Sequence, residues 1–306
     1  MSLWEKYHTP RTVDEALATL AAYHGRARVI AGGTDLLIDM QFGGEGEPPQ
    51  ALVDVTHIPE MSRIAVADGI CTLGAAVTHA AIVRSTALEA GATCLVESCG
   101  VVGGPQVRNA GTIGGNVAHA LPAGDGTTSL VALDASAQVA WADGRREWLP
   151  ILALFKGPGV SALDSRRDVL VAFRFALCGP GEGTAFKRIM RPQGVALPIL
   201  GCAAWVRLSP DGGRYAAVRL CIGPVARTPV RATAVEEALR GEPVGGAALG
   251  RAIAAARESL HPRTSKYRAT AAYRQHMIET LLRRVLPLAV QRARTGVAQA
   301  EGVGLE

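Results

Sequence analysis

The sequence predicts an α+β protein in two parts, and three features of the 306-residue chain carry that expectation. The first half alternates short β-branched segments with brief helical ones, and it contains Asp-Gly hairpin signals at Asp68-Gly69 and Asp143-Gly144. The second half holds two apolar segments around a Pro-Asp-Gly-Gly turn, followed by helical stretches. A turn-rich break, CGPGEGTAF at 178–186, separates the two halves.

Taken in order, TVDEALATLAAY (12–23) reads as an amphipathic helix capped by Thr12, with early acids and Val13, Leu17 and Leu20 on one face. RVIAGGTDLLIDM (28–40) is a strand, a double-glycine turn and a second apolar run. ALVDVT (51–56), 62–78 and 138–151 show the alternation of half-buried strands. Helices are expected at 78–99 and 127–135. In the second half, 203–225 reads as one antiparallel pair, and TAVEEALRG is a helix stopped by glycine. The strongest helix spans 267–293, where Tyr273, Met277, Ile278, Leu281, Leu282 and Val285 recur at helical spacing. Pro287 marks its end or a kink, and the polar, small-residue tail reads as frayed.

Composition removes several functions. No apolar run is long enough to span a bilayer, and MSLWEKYHTPRTVDEALATL has no signal-peptide core, so the expectation is cytoplasmic. Net charge is +5, but the arginines are scattered and aromatics are only 5%, which argues against a nucleic-acid surface. The six cysteines (71, 94, 99, 178, 202 and 221) form no CxxC pair and have no histidine cluster beside them. They read as buried apolar thiols, and no metal site is expected in this chain.

Two glycine segments interrupt this pattern. AGGTDLL (31–37) and GTIGGN (111–116) each combine paired glycines with a threonine and an Asp or Asn. Successive exposed amides in a turn form an anion-binding nest, and two nests in one domain could grip the two phosphates of a pyrophosphate. Neither matches the G-x-G-x-x-G dinucleotide fingerprint or a Walker loop. On composition alone, two structural β-turns with left-handed glycines are the favoured reading.

AGGTDLL, followed about seventy residues later by VGGPQVRNAGTIGGNVAHALPAGDG, resembles the FAD-binding subunit of the molybdenum hydroxylases, the xanthine dehydrogenase and carbon monoxide dehydrogenase family. TAFKRIMRP, GPVARTPVRATAVEEALRG and KYRATAAYRQHMIETLLRRVL continue the similarity in the family's order, from about residue 5 to 290. The resemblance implies a two-part FAD-binding domain of the vanillyl-alcohol oxidase/p-cresol methylhydroxylase-like type over 1–178, with subdomains of about 1–57 and 58–178. It further implies an α+β C-terminal domain with an antiparallel sheet and helices at 184–290, and a flexible tail at 291–306.

It implies site residues as well. Val29, Ile30, Ala31, Gly32, Gly33, Thr34, Asp35 and Leu36 would wrap the FAD pyrophosphate, with Gly32, Gly33 and Thr34 closest. Thr112, Ile113, Gly114, Gly115 and Asn116 would do so from the other side, and Asp125 would contact the cofactor. Phe186 and Lys187 would approach the isoalloxazine, with Leu170 near the same ring. An aromatic face stacks on a flavin, and a cation near the ring favours its anionic reduced form.

The activity implied is that of an electron-transfer subunit. Electrons would arrive from a large molybdopterin-binding subunit through a small [2Fe-2S] subunit and leave through FAD to NAD⁺ or another acceptor. Two other readings stand beside it. One is a stand-alone flavin oxidoreductase of the same fold, with His119 the candidate for a covalent flavin link; the other is a non-catalytic scaffold that kept the fold without FAD. Two comparisons with the family concern particular segments. QGVALPIL (193–200) stands where relatives often carry GDFA, so an acidic contact is missing. The cysteine-bearing insertion of the hydroxybenzoyl-coenzyme A reductase type is not seen.

Overall fold

The computed structural model describes residues 3–43, 47–191, 197–302 and 304–305. The chain begins with β1 (Lys6–His8), α1 (Val13–Ala22), β2 (Ala27–Ile30), α2 (Leu36–Gln41) and β3 (Ala51–Asp54). β1 and β2 both run parallel to β3, which lies between them. Thr12 caps α1 by accepting from the Glu15 amide, and Val13, Ala16, Leu17 and Leu20 are the buried face.

A five-stranded antiparallel sheet follows, built from β4 (Ile64–Ala67), β5 (Ile70–Gly74), β6 (Ser136–Ala140), β7 (Arg146–Pro150) and the later β10 (Val169–Ala176), in the order β4-β5-β10-β6-β7. Asp68 and Gly69 both take positive φ, 51° and 72°, which the two-residue turn between β4 and β5 requires. The second hairpin turns differently. Trp141 N–H donates to the Arg145 carbonyl and only Gly144, not Asp143, is left-handed, so three residues close the loop.

Between β5 and β6 lie six short helices: α3 (His79–Val83), α4 (Thr86–Gly91), α5 (Thr93–Gly100), α6 (Pro105–Ala110), α7 (Ile113–Ala118) and α8 (Asp125–Ala132). The single helix expected at 78–99 is therefore three, because Ser85 recaps the chain and Gly91 packs its backbone on Leu177. The GTIGGN segment is also no loop: Thr112 caps α7, accepting from the Gly115 amide at 3.1 Å. The small pair β8 (Phe155–Gly157) and β9 (Val160–Ser161) precedes β10.

The second half is the antiparallel sheet β11 (Glu182–Met190), β12 (Pro198–Leu208) and β13 (Tyr215–Gly223), with α9 (Thr233–Leu239), α10 (Gly246–Ser259) and α11 (Ala271–Thr295) on one face. Alternation along these strands divides the sheet between two cores. Phe186, Ala203 and Cys221, paired across the strands, join the core of the first half. Ala185, Cys202 and Ile222 join a second core with α9–α11. α11 carries Ile278, Leu281, Leu282, Val285 and Leu286 into that core, each burial contributing roughly 1.5–3 kcal/mol before entropy is subtracted.

That packing overrides the sequence signal for a helix end. α11 runs through Pro287 to Thr295 and rests directly on β11, where a methyl on Gly183 would stand 2.6 Å from the Ala293 nitrogen. The tail expected to be flexible from 291 is instead helical to 295 and then docked. The Ala300 amide donates to Glu89 (3.1 Å), the Glu301 amide donates to Glu97 (3.0 Å), and Leu305 packs on Gly100.

Candidate functional site

A cleft of about 1140 Å³ opens between the parallel sheet, the helical segment after β5 and the edge of the C-terminal sheet. Its lining contains most of the residues singled out in the sequence: Val29, Ile30, Ala31, Gly32, Gly33, Thr34, Asp35, Leu36, Thr112, Gly114, Gly115, Asn116, Asp125 and Leu170. The two glycine segments meet there. A Cβ on Gly32 would overlap the Ala110 carbonyl, and a Cβ on Gly111 would lie 3.6 Å from the Thr34 hydroxyl.

The first segment has the character of a nest. Gly33 takes φ +68°, turning the chain out of β2 and into α2, and its carbonyl accepts from the Leu37 amide. The amides of Gly32, Gly33, Thr34, Asp35 and Leu36 donate to no acceptor among the described residues. Five unsatisfied donors on a cleft wall are an invitation to an anion.

The second segment is different. The Ile113, Gly114 and Asn116 amides donate to Val77, Ala75 and Thr112 carbonyls at 3.0, 2.8 and 3.0 Å, and the Gly115 amide goes to the Thr112 hydroxyl. These donors are occupied, so 113–116 is a wall of the cleft and not a second nest. Gly114 is needed because a Cβ would stand 2.5 Å from the Ala75 carbonyl oxygen. Ile113 is fully buried beneath that wall. Asn116 Oδ1 accepts from the amide and hydroxyl of Thr127, both at 3.0 Å, which ties α7 to α8.

Strand alternation decides the fate of the remaining two residues. Neighbours on a strand point to opposite faces, so Phe186 and Lys187 cannot both face one ring. Phe186 is 2% exposed, sits in the core against Gly201, and its amide donates to Glu97 at 2.7 Å. Lys187 points to the opposite face, where its Nζ pairs with Glu301 at 2.9 Å. Neither lines the cleft. On this strand the cation that lines it is Arg188, one residue on, with Nη1 donating to Asp125 Oδ2 at 2.6 Å; Arg28, Arg166 and Arg268 line other parts of the cleft.

Asp125 opens α8 and is 5% exposed. Burial pushes its carboxyl up to about 6, against the opposing pull of Arg188. His79 also lines the cleft and was not picked out in the sequence. Its Nδ1 lies 3.3 Å from Cys99 Sγ, and burial, helped by Arg108, lowers its pKa to about 4. A lone histidine opening a short helix carries no sequence signal; Arg188 could have been found from the i, i+2 relation to Phe186. His119 closes α7 at the cleft wall. Residues 193–196 of QGVALPIL lie outside the described residues, whereas Leu197 and Pro198 line the cleft. Among the described residues no group of three or more His, Cys, Asp or Glu side chains could hold a metal. No helix of the described chain is long and apolar enough to cross a membrane.

A deep, largely apolar cleft with one concentrated set of free amides suits a long ligand with an anionic middle and an aromatic end. The residues present therefore fit a flavin dinucleotide, and fold and cleft together define a flavoprotein component of an oxidoreductase. The comparisons agree. Residues 3–175 match the family described as the FAD binding domain in molybdopterin dehydrogenase, and residues 184–289 match the CO dehydrogenase flavoprotein C-terminal domain. The chain is 31% identical to the xanthine dehydrogenase FAD-binding subunit of Escherichia coli O157:H7, over 94% of this chain and 96% of that one. It is 30% identical to the carbon monoxide dehydrogenase medium chain of Hydrogenophaga pseudoflava, over 94% and 97%. Among solved structures, carbon monoxide dehydrogenase from Hydrogenophaga pseudoflava superimposes with a TM-score of 0.86 at 30% identity, covering 94% of this chain and 98% of that one. Quinoline 2-oxidoreductase from Pseudomonas putida 86 gives 0.84 at 26% identity, covering 94% and 98%. The chain belongs to the family of FAD-binding subunits of the molybdopterin-dependent dehydrogenases.

Proposed function

We propose that this chain is the electron-transfer flavoprotein subunit of a heteromeric molybdenum hydroxylase. Its cofactor would lie along the cleft, with the pyrophosphate on the amides of Gly32–Leu36 and the isoalloxazine toward Leu170, Asp125 and Arg188. The observation that carries this reading is the row of amides at 32–36, which no group among the described residues satisfies. Apolar walls at Leu170 and Leu197 would exclude water from the ring, and Asn116 and Thr127 would hold the wall formed by α7 in place. FAD bound there would supply two-electron redox chemistry.

Electrons would come from a large molybdopterin-binding subunit by way of a small [2Fe-2S] subunit, and pass to NAD⁺ or another acceptor. Support comes from the chain itself, whose cysteines are all free, five of them buried. Among the described residues no group of three or more His, Cys, Asp or Glu side chains comes together to hold a metal.

The test is direct. Purified alone and supplied with FAD, the chain should turn yellow with one flavin per chain, and should release it on denaturation because the link is non-covalent. It should reduce artificial dyes with NADH but leave purines, aldehydes and carbon monoxide untouched. Substrate oxidation should return only with the iron–sulfur and molybdenum subunits added. Bleaching of the flavin by an organic substrate with this chain alone would refute the subunit assignment.

A further inference from the structure

Arg188 is a buried cation whose hydrogen-bonding capacity is mostly unspent. Its side chain is 7% exposed and that of Asp125 is 6% exposed, so their 2.6 Å contact is shielded from solvent. Of the other guanidinium nitrogens, Nη2 has only the Met190 thioether at 3.2 Å, and Nε is buried with no partner among the described residues. A guanidinium normally satisfies its five donors when buried, and an unsatisfied one costs free energy. A protein that needed only a structural strut here would be served by an apolar pair.

The position of the pair gives the charge a purpose. Arg188 belongs to the C-terminal sheet and Asp125 to the first turn of α8, so the contact spans the two halves and lies on the cleft wall. Opposite Arg188 across β12 stands Gly201, where a Cβ would press on the Phe186 ring (3.2 Å) and approach Asp125 Oδ1 (3.6 Å). Glycine keeps that wall open, and among the described residues no donor reaches the carboxylate's second oxygen. Lys187 is not available for this purpose, because Glu301 holds it on the other face.

We propose that Arg188 is the residue whose positive charge stabilises the reduced flavin, and that Asp125 holds it in position and partly offsets that charge. The assignment rests on the cofactor placement proposed above. In the apolar end of the cleft a charge beside the ring is weakly screened, so altering the compensation of Arg188 changes the relative affinity for reduced and oxidised flavin. Arg188 acts here on the cofactor, and Asp125 is a positioning residue for it.

The experiment is a set of single charge substitutions on the FAD-loaded chain, read as the flavin midpoint potential by spectroelectrochemistry. Asp125→Asn keeps the shape and removes the offsetting charge. Expected is a roughly tenfold gain in preference for reduced over oxidised FAD, a rise of about 30 mV for a two-electron couple. Arg188→Gln alone should lower the potential by a similar amount, and Arg188→Lys should leave it close to wild type. Lys187→Met is the control and should leave the potential where it is. An Arg188→Gln potential at or above that of the wild type, or no shift with Asp125→Asn, overturns the proposal. If Arg188→Gln does not hold flavin, Arg188→Lys decides, and a clear fall in potential there overturns it. Loss of flavin from Asp125→Asn itself would make the pair a structural strut. A wild-type chain that takes up no FAD would instead sink the cofactor placement on which the proposal stands.

Discussion

Replacing Arg292 with methionine should be among the most destabilising single changes in this chain. Arg292 is 4% exposed and reaches from α11 into the first half, where Nη2 meets Glu97 Oε1 at 2.7 Å and Nη1 meets Oε2 at 3.2 Å. The same guanidinium donates to the Thr184 carbonyl at 2.8 Å and to the Gln299 carbonyl at 2.5 Å. Glu97, 1% exposed, also accepts from the Phe186 and Glu301 amides. One buried pair thus joins α5, β11, α11 and the tail. Removing one partner of a buried pair strands the other charge, which costs about 3–5 kcal/mol. With a urea dependence of about 3 kcal/mol per molar, the unfolding midpoint should fall by about 1–1.7 M. Glu97→Gln combined with Arg292→Met should recover part of that loss, because no charge is then left unpaired. The assay is urea unfolding of all three variants, followed by tryptophan fluorescence and circular dichroism. A midpoint for Arg292→Met within 0.3 M (about 1 kcal/mol) of wild type would refute the reasoning, since it would show that Glu97 finds other compensation.

Further outcomes follow from the same geometry. Gly32→Ala should push the 31–34 segment away from Ala110, leaving a folded chain whose flavin-to-protein ratio after gel filtration is well below one. Gly114→Val, by contrast, should fail to accumulate as soluble protein, because its side chain would be driven into the Ala75 backbone; full yellow recovery of that variant would contradict the packing described. Lys187→Met should cost under about 1 kcal/mol in thermal or urea unfolding, because its partner Glu301 is exposed. His79 should make the chain sensitive to acid. Its folded pKa of about 4 lies below the ordinary 6.5, so only the unfolded state gains a proton as pH falls through that window. The stability it contributes is intact above about 6.5 and declines by about 3 kcal/mol toward pH 4. Asp125 acts with the opposite sign between about 3.8 and 6, since its raised pKa makes the folded state the better proton acceptor there. Subtracting the pH profile of His79→Gln from that of wild type isolates the His79 contribution, and a flat difference would show that the imidazole titrates normally.

Local chemistry wrote much of this molecule into the sequence. Thr12 ahead of an amphipathic run, Asp68-Gly69 between alternating segments and the Pro-Asp-Gly-Gly turn each specify their element from within a few residues, and the structure has all three. The first glycine segment was legible as a tight turn for the same reason, whereas the packing around Gly33 decided that its amides stay open. The second segment was not, because Gly114 answers to Ala75, nearly forty residues away, and the amides of 113–116 are spent on Val77, Ala75 and Thr112. Pro287 likewise reads as a stop until the bed of apolar side chains beneath α11 outweighs one missing hydrogen bond. The exchange of Lys187 for Arg188 at the cleft has the plainest cause. A sequence motif names neighbouring residues together, whereas a strand sends them to opposite faces. Which face meets the cleft depends on how the sheet of the second half is laid against α5 and α8, and only tertiary packing sets that.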